Sequence, residues 1–230
     1  MPHHPGGTQG PAVLFSAGLD SAVLLAYAVR ENPGTSIQPI YVNAGLAWEA
    51  EERAMADRLL RSGVYGREVL ELTILTVDMR DVYPPTHWAV RGEPPAYDTP
   101  DEDVFIEGRN IVLLSKTAIL MARRGITRVL LGPLAGNPFP DATSQFFDAM
   151  AGALSTGLAT PISIEAPFAR LHKSDVIRLG RQIGDHDGET VEHRVAADLT
   201  DRDAHPDLLC PSACGACWNS ECGADDQGHR

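Results

Sequence analysis

The sequence predicts an α/β fold, a mostly parallel sheet covered by helices on both faces, and three observations carry that prediction. Short apolar runs alternate with helical patterns from residue 12 to residue 183. A small-residue turn, Ser16-Ala17-Gly18-Leu19-Asp20-Ser21, joins the first apolar run to the first helical one. At 43% hydrophobic residues, a chain of 230 can bury one sizeable core with a short appendage. Strand–helix alternation implies parallel strands, because each crossover lays a helix on the sheet.

The elements follow in order. Strands are expected over 12–15, 37–42, 70–77, 128–131 and 162–166, each a short apolar run bounded by turn residues. Helices are expected over 21–30, 48–61, 111–124, 144–154 and 174–183, where apolar residues recur at helical spacing. Two segments break the rhythm. Residues 79–107 carry Pro84, Pro85, Pro94, Pro95 and Pro100 with acidic residues near 100, and are long for a plain connection. Such a stretch is either a functional flap or partly disordered. Residues 185–208 are charged and contain His193 and His205, and they lead into the cysteines. The expected organisation is therefore an α/β domain over 1–190 and a helical or loop segment over 191–230. No internal repeat or low-complexity tract is present.

With 31 acidic and 19 basic side chains the formal charge is −12, which argues against a large nucleic-acid footprint. A local basic groove stays compatible with that balance. No 18-residue apolar stretch exists, so no membrane span is expected. Residues 1–10 show neither a basic nor an apolar signal region, and a cytoplasmic protein is the expectation.

The turn after the first strand carries the chemistry. A buried strand feeding a small-residue turn into a helix presents free backbone N–H groups and the positive end of a helix dipole. Residues Leu14, Phe15, Ser16, Ala17, Gly18, Leu19, Asp20 and Ser21 are thus the candidate nucleotide-phosphate loop, with Ser16, Asp20 and Ser21 as candidate catalytic groups. The loop lacks the Gly-Lys-Ser/Thr ending of a Walker A motif, so β–γ phosphate cleavage is not indicated. The bland alternative is an ordinary Ser/Gly turn. The Asp-Ser pair at the helix start favours function. Ala17 adds a methyl group, tolerable where its φ is negative. Lys173 opens a helix, where the dipole disfavours a cation unless an anion such as phosphate lies nearby. Arg109 and Asn110 follow the flap: the first suits a carboxylate or phosphate, or is merely solvated, and the second can cap the next helix. Asp141, in a Gly/Pro-rich loop, can stabilise a turn. Cys210, Cys214, Cys217 and Cys222 fall within thirteen residues. Four thiolates around a Cys-Gly-Ala-Cys turn close the tetrahedral shell of a structural Zn2+. A redox dithiol, free thiols, or His205 in place of one thiolate are the alternatives.

The 16–21 loop resembles the SGGxDS loop of PP-loop ATP pyrophosphatases. Combined with the C-terminal cysteines, the chain resembles the 7-cyano-7-deazaguanine synthase family. Residues 41–51, with Gly45 and Glu51, resemble its segment after the second strand. Phe105-Ile106-Glu107-Gly108-Arg109-Asn110 resembles its V-P-G-R-N, and Phe139-Pro140-Asp141 with Phe146 its Y-P-D…F. Pro167-Phe168 with Lys173 and Asp175 resembles its P-(L/F)…K-x-(E/D). The resemblance implies a Rossmann-like parallel sheet of adenine-nucleotide-hydrolase (PP-loop) type ending in a zinc-binding knuckle. It implies an ATP-dependent ligase using Mg2+, with 7-carboxy-7-deazaguanine and ammonia as substrates, acting as a homodimer in queuosine and archaeosine synthesis. Ser16, Asp20, Ser21 and Lys173 would be catalytic; Arg109, Asn110 and Asp141 would bind the deazapurine. The departures are Ala17 for glycine, Thr143 for the usual arginine, Ser220 at the usual last-cysteine position, and altered cysteine spacing. They keep three rivals open. One is a paralogue passing the activated carboxylate to a protein or nucleic-acid amine. Another is a tRNA-modifying PP-loop enzyme, disfavoured by charge and by the lack of cysteines outside the cluster. The last is a non-catalytic nucleotide-binding module.

Overall fold

The computed structural model describes residues 8–96 and 99–184. The expected second part over 191–230, including Cys210, Cys214, Cys217 and Cys222, lies outside the described residues. The five strands are β1 (Thr8–Leu14), β2 (Thr35–Asn43), β3 (Thr73–Thr76), β4 (Arg128–Leu130) and β5 (Ser163–Glu165). They form one parallel sheet in the order β3-β2-β1-β4-β5. Helices are α1 (Leu19–Glu31), α2 (Glu49–Arg61), α3 (Trp88–Arg91), α4 (Asp101–Val104), α5 (Arg109–Arg124), α6 (Ser144–Leu158) and α7 (Lys173–Gly184). The expected α/β architecture stands. Among the described residues no helix is long and apolar enough to cross a membrane.

Alternation along the strands sorts two cores onto the two faces. Val13, Ile37 and Leu130 point toward α1, α2 and α7, where Leu24, Leu25, Leu59, Phe168 and Val176 join them. Ala12, Ile40, Val42 and Val129 point toward α5 and α6, meeting Leu114, Met121 and Phe147. The chain moves outward from β1 to β2 and β3, then returns to place β4 on the other side of β1. That reversal makes the carboxyl ends of β1 and β4 a topological switch point, where open α/β sheets bind ligands.

Two expectations shift, each for a visible reason. The third strand is shorter than 70–77 because Pro39 in β2 has no N–H to offer that edge. Only single pairing at Ile37↔Val69 precedes the gap, and the ladder resumes at Ile40↔Thr73. The Gln38 side chain fills the break, donating from Nε2 to the carbonyls of Pro39 and Glu71, both at 2.9 Å. Arg124 then donates to Gln38 Oε1 at 2.8 Å and to Thr73 Oγ1 at 3.0 Å, fixing the end of α5 over the gap. Within 79–107, α3 and α4 form, and a third core gathers against α3: Ala44, Leu46, Trp48, Met79, Tyr83, Ala89 and Ile106. Rings stack in succession, Tyr83 on His87 (4.7 Å), His87 on Trp88 (5.7 Å) and Trp88 on Trp48 (5.5 Å). Residues 79–91 thus pack against the turn that follows β2.

Candidate active site

The loop after β1 sits at the switch point and forms the floor of a cleft with Leu131, Gly132 and Asn137 from beyond β4. Gly18 caps α1 without a side chain, so the helix N-terminus stays open to a ligand. Ser21 Oγ donates to the Gly18 carbonyl at 3.0 Å, and Ser16 Oγ lies 3.4 Å from Ser21 Oγ. Ala17 departs from expectation: its φ is +64°, in the left-handed region. The methyl group is tolerated because it is buried in the first core, turned away from the cleft lining. Its effect on ligand approach is therefore small.

Asp20, in the first turn of α1, is 2% exposed. Its Oδ1 accepts from Lys173 Nζ at 2.8 Å, while Oδ2 is buried without a partner among the described residues. Burial raises its pKa above the ordinary carboxylate value, opposed by the Lys173 ammonium. The anion that makes Lys173 tolerable at the start of α7 is thus Asp20 itself. Asp175 reaches back to the His172 N–H at 3.0 Å and holds that helix start. The Ala135 N–H donates to the Leu171 carbonyl at 2.9 Å, tying the approach of α7 to the loop beyond β4.

The opposite wall is built by the end of β2 and the starts of α2 and α5. Glu49 is buried and accepts from the backbone N–H groups of Ala44 and Gly45, closing the turn that leads into α2. Gly45 has φ +86°, and a Cβ there would lie 2.7 Å from Asp78 Oδ1. Glu51, the glutamate singled out by sequence, is exposed. Glu52 lines the cleft instead, and Tyr41 Oη donates to its Oε2 at 2.7 Å. Burial pushes the Glu52 carboxyl up to about 7, against the opposing pull of Arg109 and the Tyr41 hydroxyl. Tyr41 is itself raised, by burial and by Glu52. Neither Tyr41 nor Glu52 was read as a site residue. The available signal was that Glu52 occupies the buried stripe of α2, three, four and seven residues before Met55, Ala56 and Leu59.

Arg109 is the first residue of α5, after Gly108 at φ +76°, and its Nε is buried with no hydrogen-bond partner among the described residues. Asn110 does not cap the helix. Its Nδ2 donates to the Asp141 carbonyl at 2.9 Å, and its backbone N–H donates to Asp141 Oδ2 at 3.1 Å. Asp141, 6% exposed, thereby supplies the anionic cap that α5 lacks. Burial raises its pKa, opposed by the Asn110 N–H and by Arg109. Thr143 caps α6, accepting from the Phe146 N–H at 3.2 Å, which accounts for a hydroxyl at that position. Phe105 and Phe139 stack at 5.1 Å on the cleft wall, and Trp88 of the flap completes the lining. The structure thus gathers Ser16, Asp20, Ser21, Arg109, Asn110 and Asp141 on one cleft, with Lys173 joined through Asp20.

Among the described residues the cleft lining has three buried polar atoms unfilled: Asp20 Oδ2 beside an open helix N-terminus, Arg109 Nε, and the indole Nε1 of Trp88. A metal-bound polyphosphate satisfies the first and a carboxylate the second. Among the described residues no cluster of three or more His, Cys, Asp or Glu side chains could hold a metal ion unaided.

The family model of queuosine biosynthesis protein QueC matches residues 11–224. The 7-cyano-7-deazaguanine synthase of Methanopyrus kandleri is 31% identical over 181 residues, 75% of this chain and 77% of that protein. That of a Bradyrhizobium species is 30% identical over 124 residues, 53% of this chain and 48% of that protein, so there the match spans about half of the relative. Among solved structures, a 4-thiouridine synthetase–RNA complex with bound ATP aligns at TM-score 0.49 and 18% identity, over 82% of this chain and 42% of that one.

Proposed function

The chain belongs to the QueC family of queuosine biosynthesis proteins, and from that premise we propose that it is an ATP-dependent carbon–nitrogen ligase forming 7-cyano-7-deazaguanine. The observation that carries the reading is the pair of unfilled partners in one cleft, Asp20 Oδ2 and Arg109 Nε. A carboxylate oxygen of 7-carboxy-7-deazaguanine attacks the α-phosphorus of ATP, the bond to the bridging oxygen breaks, and pyrophosphate leaves. Ammonia attacks the acyl carbon, AMP leaves with the electron pair, and a proton is lost to give the amide. A second adenylation on the amide oxygen lets AMP depart as the nitrile forms.

The protein's part is electrostatic. The open N–H groups of the 16–21 loop and the Ser16 and Ser21 hydroxyls bind the departing pyrophosphate. Lys173 offsets phosphate charge, and Arg109 holds the substrate carboxylate in place against repulsion from the phosphates. Asp20 would hold Mg2+ through Oδ2, an ion that supplies charge neutralisation when bound. With Asp141 committed to Asn110, we assign it to positioning Arg109 and Asn110 beside the deazapurine, which stacks on the Phe105–Phe139 pair. We further propose that 1–190 is the catalytic unit, that the 191–230 cysteines hold one structural Zn2+, and that the protein is a cytoplasmic homodimer. A second reading, transfer of the activated carboxylate to a different amine, is favoured by Thr143 serving as a helix cap where the family usually has arginine.

Pyrophosphate release with and without 7-carboxy-7-deazaguanine tests the proposal, with nitrile detected by mass spectrometry. Ligand-dependent release with nitrile in the presence of ammonia is expected. Release without nitrile moves the assignment to the second reading, and no response to the deazaguanine refutes both.

A further inference from the structure

Four carboxylates line or floor the cleft, and three are already committed. Asp20 pairs with Lys173, Glu49 closes the turn at Ala44 and Gly45, and Asp141 caps α5. Among the described residues Glu52 hydrogen-bonds a neutral group, the Tyr41 hydroxyl at 2.7 Å, rather than a cation or a backbone N–H. It also lies within the electrostatic reach of Arg109, whose Nε is unfilled. On the ligase reading, the carboxylate held by Arg109 is the reacting one, so a group beside that guanidinium is beside the carbon that the amine attacks. The far hydrogen-bonding edge of the deazapurine lies at the other end of the ligand.

We propose that Glu52, oriented by Tyr41, is the proton acceptor that turns an incoming ammonium ion into the nucleophile. Glu52 takes one proton from ammonium, the freed nitrogen lone pair forms the C–N bond, the C–O bond to AMP breaks, AMP leaves with that electron pair, and the acylated nitrogen gives its surplus proton to the departing AMP phosphate to become the amide. The groups facing Glu52 set its proton affinity: Tyr41 on β2 and Arg109 on α5 lower it, Glu49 and Glu51 on its own helix raise it, and burial raises it most. An ionised substrate carboxylate on Arg109 adds a further negative charge and keeps Glu52 protonated. Adenylation removes that charge, so the acceptor becomes competent only once there is an acyl-adenylate to attack. The inference rests on the ligase reading and adds to it the handling of the amine.

The test separates the half-reactions in the full-length protein. In Glu52→Gln, substrate-dependent pyrophosphate release without amine should stay near the wild-type rate, while amide formation from ammonium at pH 7 falls about 100-fold or more. Hydroxylamine, unprotonated at that pH, needs no acceptor to become a nucleophile, so hydroxamate formation should survive in the variant. Tyr41→Phe removes an interaction that lowers the Glu52 pKa, so the acidic limb of its amide-forming pH profile should move to higher pH. Equal losses with ammonium and hydroxylamine, or a rise in KM for the deazaguanine carboxylate at the adenylation step, would overturn the proposal. An unmoved acidic limb in Tyr41→Phe would do the same. Absence of substrate-dependent pyrophosphate release in the wild type would instead refute the ligase reading itself.

Discussion

Replacing Asp20 by asparagine separates a carboxylate kept for chemistry from one kept for stability. Asp20 is 2% exposed, and its ion pair with Lys173 spans 2.8 Å. At an effective dielectric constant of about 20, two unit charges at that distance attract by about 6 kcal/mol. Burial still outweighs the attraction, because the Asp20 pKa lies above 3.8 in the fold. A raised folded-state pKa means that the group's contribution to stability is fully present below 3.8 and is lost as pH rises through the folded value. At neutral pH the ionised carboxylate therefore costs stability. Asparagine keeps the shape and an acceptor for Lys173, and Lys173, 20% exposed, still reaches water. We expect Asp20→Asn to change the unfolding free energy by no more than about 1 kcal/mol at pH 7, with the variant gaining on the wild type as pH rises. Pyrophosphate release should fall by about 100-fold to 1,000-fold. Urea unfolding at pH 5 and pH 8 beside a coupled pyrophosphate assay reads both quantities. Destabilisation of about 3–5 kcal/mol, the usual cost of orphaning one member of a buried pair, together with an unchanged rate in the folded fraction, would refute the reasoning.

Other outcomes follow from single contacts. Ala17→Gly should leave stability within about 0.5 kcal/mol, since relief of the left-handed backbone (about 1–2 kcal/mol) is offset by glycine's entropy and the lost buried methyl. Its KM for ATP should not change, because the methyl faces the core. Asp141→Ala strips the cap from α5 and leaves a half-buried N–H at Asn110, which should lower the urea midpoint by the equivalent of about 1–2 kcal/mol and raise KM for the carboxylate substrate more than for ATP. Elemental analysis of the full chain purified without added metal should find one zinc per chain, and Cys214→Ser should lose it.

The first strand was legible because it is an uninterrupted apolar run at 12–15, and the others because apolar residues stay dense at α/β spacing although Gln38, Pro39, Glu71 and Ser163 interrupt them. The 16–21 turn was legible as a strand-to-helix junction for a related reason: its small residues are contiguous in sequence, and it lies between β1 and α1 on the cleft. Asp141 and Asn110 were both singled out but their pairing was not, because they lie 31 residues apart and the helix start at Asn110 has no side-chain cap of its own. The choice among Glu49, Glu51 and Glu52 required the rotational phase of α2, which the buried stripe at Met55, Ala56 and Leu59 fixes. The sign of φ at Ala17 was beyond residue type altogether, since alanine adopts the left-handed region only where surrounding packing imposes it.

The 153 residues that separate Asp20 from Lys173 set a schedule for synthesis. At about 5–20 residues per second, a ribosome needs on the order of 8–30 s after making Asp20 before the lysine exists. During that interval the loop after β1 carries a charged carboxylate with no cation to meet it, and α1 lacks the apolar face of Val176 against which it packs. The 16–21 turn is thus made early but stays without its counter-charge until the end of the described residues is reached. The Asp20–Lys173 pair closes only once α7 has been made, so the arrival of that helix completes the charge balance at the end of β1.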